Sequence, residues 1–205
     1  MMFRNNGKIC VAQSRVFVPR ARAAEFTDAM VAGVAALRVG DPHETTTDVG
    51  PLAAARQRDV VEGFIASGRE EGAKVVIGGG RPPGLDRGWY VDPTVFAGVD
   101  NHMRIAREEI FGPVLSMIEY DGPDEAVAMA NDTDYGLSGS VWTTDVDRGV
   151  DVARRVRTGG FHVNGAAQVM GTPFGGFKQS GIGRDSGPAG LRCYLETKAI
   201  GIPTA

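Results

Sequence analysis

Asn5-Asn6-Gly7-Lys8-Ile9-Cys10-Val11-Ala12-Gln13-Ser14-Arg15 sets a single cysteine directly after a short polar turn that contains a glycine. Thiolate is the reactive form of cysteine, and partly positive surroundings such as a helix N-terminus favour it. Asn and Gly begin helices or permit tight backbone approach. The residues before Cys10 could therefore present backbone N–H groups to its sulfur. The chemistry on offer is nucleophilic attack with covalent capture of the substrate. A lone cysteine is more often a small buried hydrophobe than a nucleophile, and these residues alone leave both readings open.

Two further stretches could contribute to a site. Glu108-Glu109-Ile110-Phe111-Gly112-Pro113 places two carboxylates beside an aromatic ring and a rigid Gly-Pro step. Adjacent carboxylates commonly form a solvated turn, but this set also suits recognition of hydroxyls on a flat, ring-bearing ligand. Residues 173–184 are dense in glycine and carry Phe174 and Phe177, consistent with a wall that lets backbone approach a ligand. Gly78-Gly79-Gly80 is read as a plain turn. Arg81-Pro82-Pro83-Gly84 opposes a following helix, and no dinucleotide or Walker-type phosphate motif is present. His43, His102 and His162 lack metal-ligand spacing, so a metal site is not expected. Cys193 is expected to be buried and structural.

The 205 residues are enough for one substantial domain with its own core. A net charge of -3 without a basic cluster gives no electrostatic reason to expect nucleic acid or an anionic membrane. Two cysteines are too few for a disulfide framework and fit a reducing compartment. No apolar stretch approaches the roughly 18 residues of a membrane span, and no signal peptide is read at the start. The expected location is the cytoplasm.

These residues must be held by elements of regular structure. Helical spacing of Phe26, Met30, Val34 and Leu37 predicts a helix over 21–37 with those side chains facing a core. A second helix is expected over 53–71, with Val60, Val61, Phe64 and Ile65 on one face. Strands are expected at 15–18, 74–77, 116–120, 135–143 and 161–164, with an extended stretch at 89–96. Asp121 is expected to cap a helix reaching about Ala130, and Asp145 to cap the next, with Val146, Val150 and Ala153 facing inward. A final strand is expected over 196–202. Strands alternating with helices over this length predict an α/β protein, a mostly parallel twisted sheet covered by helices.

Taken together, the motifs resemble the aldehyde dehydrogenase superfamily. Asn5-x-Gly7-x-x-Cys10-x-Ala12-x-Ser14-Arg15 resembles that family's nucleophile signature. Glu108-Glu109-Ile110-Phe111-Gly112-Pro113-Val114 resembles its cofactor-contact motif, and Pro173-Phe174-Gly175-Gly176-Phe177-Lys178-x-Ser180-Gly181-x-Gly183-Arg184 its late substrate-side motif. Gly78-Gly79-Gly80, Pro93-Thr94-Val95 and Tyr135-Gly136-Leu137 fall between them in the family's order. The resemblance implies that Cys10 is the nucleophile and that its backbone N–H helps hold the oxyanion. It implies that Glu109 binds the nicotinamide ribose, that Phe111 packs near the nicotinamide, and that Phe174 lines the aldehyde tunnel. The cofactor would be NAD or NADP and the substrate a small aldehyde, oxidised to a carboxylic acid through a thiohemiacetal and a thioester. Lys8 stands where many members carry glutamine.

The resemblance covers a catalytic domain over 1–190 and a tail over 191–205 that resembles the family's oligomerisation strand. It does not cover the dinucleotide-binding domain, general-base glutamate or side-chain oxyanion donor that members carry upstream. A homo-oligomer, or association with a separate N-terminal half, is expected. Two alternatives stand beside this reading: a non-catalytic assembly module, and a cofactor-independent thiol esterase that uses Cys10.

Overall fold

The computed structural model describes residues 2–167 and 169–204; Met1, Gln168 and Ala205 lie outside them. The chain divides into two compact units, Met1–Thr133 and Asp134–Ala205.

The first unit is built on a four-stranded sheet of β1 (Arg15–Pro19), β2 (Lys74–Ile77), β3 (Thr94–Ala97) and β4 (Val114–Tyr120), in the order β1-β4-β3-β2. The pairings β1–β4 and β3–β4 are parallel, and the edge strand β2 is antiparallel to β3. Its helices are α1 (Ala23–Ala35), α2 (Ala55–Glu70), the single turn α3 (Arg104–Arg107) and α4 (Pro123–Asn131). Successive strand side chains point to opposite faces. Val16, Val18, Val95, Leu115 and Met117 therefore fall in one apolar cluster with Phe26, Met30 and Val34 of α1. Phe17, Phe96, Val114 and Ile118 fall in another with Val61, Phe64 and Ile65 of α2. Helices cover both faces, which is why the strands read as nearly continuous apolar runs.

Several boundaries differ from expectation for local reasons. Val60 is 43% exposed, whereas Val61, Phe64, Ile65 and Gly68 form the buried stripe of α2. One helical residue is a rotation of about 100°, enough to turn Val60 out of the core. The N-cap of α4 is Gly122, not Asp121. The Asp121 N–H instead donates to the Glu125 carboxylate at 2.6 Å, so a side chain inside the helix reaches back to the entering backbone. Gly78 and Gly79 form the expected turn, with φ of +74° and +86°, and the Gly79 N–H donates to Thr94 Oγ1 at 2.9 Å.

The second unit holds β5 (Tyr135–Gly136), β6 (Ser138–Val141), α5 (Val146–Arg155), β7 (Gly160–Val163), β8 (Phe177–Lys178) and α6 (Gly187–Arg192). Helix α5 crosses between the parallel strands β6 and β7, while β5 pairs antiparallel with β8. The stretch expected as one strand over 135–143 is thus two strands with different partners. Asp145 caps α5 as expected, accepting the Arg148 N–H at 3.1 Å. Val146, expected inside, is 57% exposed; the close packing falls to Gly149, where a Cβ would lie 2.8 Å from Val163. Cys193 is exposed, not buried, at the end of the short α6. Residues 196–202 form no strand, because a strand exists only through hydrogen bonds to a neighbour and no described strand pairs with them.

Arg15 begins β1 and locks it to α4. Its guanidinium donates to Asn101 Oδ1 at 2.7 Å and to the carbonyls of Met129 and Ala130 at 3.0 and 3.1 Å. Those carbonyls belong to the last turn of α4, where the i+4 donors run out; of the two, among the described residues only Met129 receives a backbone N–H, from Asp132 at 3.2 Å. Burial, reinforced by nearby Arg107, lowers the Arg15 pKa to about 10, so the side chain is still a cation at neutral pH. Replacing it by methionine removes the charged donor from the buried Asn101 Oδ1 and the half-buried Ala130 carbonyl, while the Met129 carbonyl keeps the Asp132 N–H and Asn101 Nδ2, both at 3.2 Å. The expected loss in Arg15→Met is about 3 kcal/mol, read as a lower urea midpoint. Arg15→Lys should recover only part of it, because a point charge replaces a planar fork.

Candidate active site

Cys10 stands at a corner of a four-residue turn closed by the Ala12 N–H donating to the Ile9 carbonyl at 2.8 Å. The thiol is free and exposed. Among the described residues the Cys10 N–H has no acceptor, so it is available to an incoming oxygen. The turn is entered through an unusual run: Asn5, Asn6 and Gly7 all have positive φ, at 49°, 59° and 69°. Asn tolerates that region because its short polar side chain bonds locally or to nearby backbone. Asn5 Nδ2 donates to the Lys8 carbonyl at 3.1 Å. Asn6 reaches farther: its Nδ2 donates to the Pro51 carbonyl at 2.7 Å, and its Oδ1 accepts the Gly50 N–H at 3.0 Å.

The second segment lies between α3 and β4. Glu108 pairs with Arg104 at 3.1 Å across one helical turn. Glu109 is exposed and makes no ion pair among the described residues. The two carboxylates are thus unequal: one is bound within the chain and one is open to a ligand. Ile110 is buried and anchors the segment in the core. Phe111 is 37% exposed and carries a φ of +53°, a conformation that bulky side chains rarely adopt and that costs about 1–3 kcal/mol. Gln57 of α2 holds it there, with Nε2 donating to the carbonyls of Ile110 and Phe111 at 3.2 and 3.0 Å.

Backbone contact joins the two segments. A Cβ at Gly7 would lie 2.1 Å from the Gly112 carbonyl oxygen, and a Cβ at Gly112 would lie 2.3 Å from Val61 of α2. No side chain fits at either position. The cysteine turn is therefore packed directly on the Glu109–Gly112 segment, and that segment on the core helix. Cys10, Glu109 and Phe111 share the first unit. An exposed acceptor carboxylate and an exposed ring, held on rigid backbone, suit the ribose and nicotinamide end of a dinucleotide.

Phe174 lies in the second unit. It is half-buried, and its N–H and carbonyl pair with Asp185 at 2.8 and 2.7 Å. Most glycines around it serve packing within that unit. A Cβ at Gly159 would strike the Gly175 carbonyl, and one at Gly187 would lie 2.0 Å from the Gly171 carbonyl. Arg184 threads the loop, donating to the Gly176 carbonyl at 2.9 Å, with its guanidinium 5.5 Å from the centre of the Phe177 ring. Sequence reading missed Asn6 and Gln57. Asn6 lies inside the motif, but its partners are 44 and 45 residues away; Gln57 is a polar residue on an amphipathic helix with no local signal.

The sequence model of the aldehyde dehydrogenase family matches residues 1–200, and the chain belongs to that family. Geranial dehydrogenase of Castellaniella defragrans is 50% identical over 196 residues, which are 96% of this chain and 41% of the relative. Among solved structures, an aldehyde dehydrogenase of Mycobacterium tuberculosis complexed with NAD+ superposes with a TM-score of 0.96 at 50% identity, over 98% of this chain and 42% of that one. Aldehyde dehydrogenase C of Pseudomonas syringae, a mutant complexed with NAD+ and octanal, gives 0.95 at 48% identity, over 97% and 41%. The α/β fold with its helix-covered sheet is that of these enzymes. The chain spans about two-fifths of the length of the relatives it matches.

Because Gly7 combines a positive φ with a contact of 2.1 Å to the Gly112 carbonyl, Gly7→Ala tests the packing of the cysteine turn. Strain and overpacking should together cost about 3 kcal/mol or more. A urea midpoint within error of the parent would show that the turn has another way to pack.

Proposed function

We propose that this chain supplies the nucleophile, the nicotinamide end of the cofactor site and part of the substrate wall of an NAD- or NADP-dependent aldehyde dehydrogenase. The observation that carries the reading is the Gly7–Gly112 contact, which packs the Cys10 turn against the Glu109–Phe111 segment. Cys10 attacks the aldehyde carbon as thiolate, forming a thiohemiacetal. The unpartnered Cys10 N–H faces the developing oxyanion, where a donor is worth several kcal/mol, roughly 2.7–4. NAD(P)+, when bound, is the hydride acceptor. Loss of hydride from the Cys10 adduct leaves a thioester, and water releases the carboxylic acid. Glu109 accepts hydrogen bonds from the ribose hydroxyls, Phe111 packs near the nicotinamide side, and Phe174 supplies apolar surface to the aldehyde.

In this reading residues 1–190 are the catalytic portion and 191–205 a tail that pairs with another chain. Tyr194, Ile200 and Ile202 are each more than three-quarters exposed, which favours a second copy as the cover. The general base and the pyrophosphate site are assigned to a further segment, covalently joined or separate. No described helix is long and apolar enough to cross a membrane. With two free thiols, the cytoplasm is the location we propose.

Three measurements test this reading. Both cysteines are exposed, so exposure alone predicts similar alkylation; if the turn activates Cys10, mass spectrometry will find it labelled faster than Cys193. Faster labelling of Cys193 would count against Cys10 as nucleophile. The 205-residue chain alone should give no NAD(P)H from aliphatic or aromatic aldehydes, since cofactor positioning can account for about 7–11 kcal/mol and a general base for about 10²–10⁴-fold. Co-expression with an N-terminal half from a relative should restore turnover, and Cys10→Ala should abolish it. In that restored enzyme Glu109→Gln should raise the cofactor KM about tenfold, the loss of one charge-assisted hydrogen bond. An unchanged KM would remove Glu109 from the site.

A further inference from the structure

We infer that Asn6 and Gln57 are positioning residues that fix the nucleophile turn and the Glu109–Phe111 segment to each other through the short stretch 50–57. This rests on the reading of Cys10 as nucleophile. The contacts form a closed ring. Asn6 grips the backbone of Gly50 and Pro51 with both atoms of its carboxamide, at 3.0 and 2.7 Å. Six residues past Pro51, inside the first turn of α2, Gln57 holds the carbonyls of Ile110 and Phe111. Gly112 follows directly, and its carbonyl abuts Gly7, the neighbour of Asn6. Every link touches backbone, so the ring constrains conformation without using the side chains that would do chemistry.

The ring also encloses the strained backbone of both segments. Asn6, Gly7 and Phe111 all lie at positive φ, a region that persists at non-glycine residues only where the surroundings over-determine it. Neither carboxamide is spent on local capping. Their partners lie 44 to 54 residues away, which points to placement of distant backbone rather than to local helix or turn stability. Opening the ring at either carboxamide should let the Cys10 turn relax, including at Gln57, which lies 47 positions along the chain from Cys10.

The test is the rate of Cys10 alkylation as a function of pH, with Cys193 of the same molecule as internal reference. Variants are Asn6→Asp, which keeps the shape but loses the donor to Pro51; Asn6→Gly, which keeps the left-handed turn but loses the grip; Gln57→Met; and the Asn6→Asp/Gln57→Met double variant. Each single change should alter the Cys10-to-Cys193 rate ratio at least threefold and shift the pH profile of Cys10 alone. The double should do no more than the stronger single, because one opening already breaks the ring. An unchanged ratio in Gln57→Met, or multiplicative effects in the double, would overturn the inference. So would an equal rise at both cysteines, which signals general loosening. Should the parent label Cys193 faster, the nucleophile reading fails; a normal parent with silent variants sinks only the positioning role.

Discussion

Three layers of this molecule touch without a side chain between them: the cysteine turn at Gly7, the Gly112 carbonyl, and Val61 on α2. Val61 is fully buried in the cluster beneath the sheet. Interiors are packed at crystal-like density and yield little. The position of the thiol is thereby referred back to the hydrophobic core through bare backbone. Glycine is required at both contacts for lack of space, and at Gly7 for its φ as well. A site placed on loops gains in this way the precision normally found on helices and strands.

Polar contacts then divide the labour. Arg104 holds Glu108 on the surface, an exposed pair of the kind worth about 0–1 kcal/mol. Its consequence is chemical rather than energetic: it occupies one of two neighbouring carboxylates, while Glu109 makes no ion pair among the described residues. Arg15, three residues after the turn closes, does the opposite. It is buried against the end of α4 and contributes chiefly to holding β1 in place. Two cations flank the two motifs, one tuning availability and the other anchoring a strand.

Much of this was legible in the residues. The nearly continuous apolar run of β4 and the 3.6-residue spacing of α1 report burial directly, because a strand covered on both faces is apolar on both and a helix carries one apolar stripe. The ordered motifs around Cys10, Glu109 and Phe174 were legible too, although only the first two share a compact unit. What escaped were features set by distant partners. Val60 and Val61 have the same hydrophobicity, and only the rotation of α2 against the sheet separates them. Tyr135–Val141 looks like one strand until two different neighbours claim its halves. Cys193 has the composition of a core residue but ends a helix of one and a half turns that has no core to enter. Asn6 and Gln57 act on backbone roughly fifty residues away, and no local pattern encodes such a contact.

The parallel pairing of β1 with β4 has a bearing on how the thiol is made. Arg15 finds its partner in Ser116, with three helices and two strands between them. Non-local pairings of this kind are slow to form, because loop-closure entropy is lost before contacts repay it. At roughly 5–20 residues per second of synthesis, some 5–20 s separate the emergence of the two strands from the ribosome. Over that interval the Cys10 segment lacks the contacts that shape its turn, both its strand partner and the Gly112 backbone. The cysteine meets oxidants and electrophiles as an ordinary thiol first and as a positioned one only after the sheet closes.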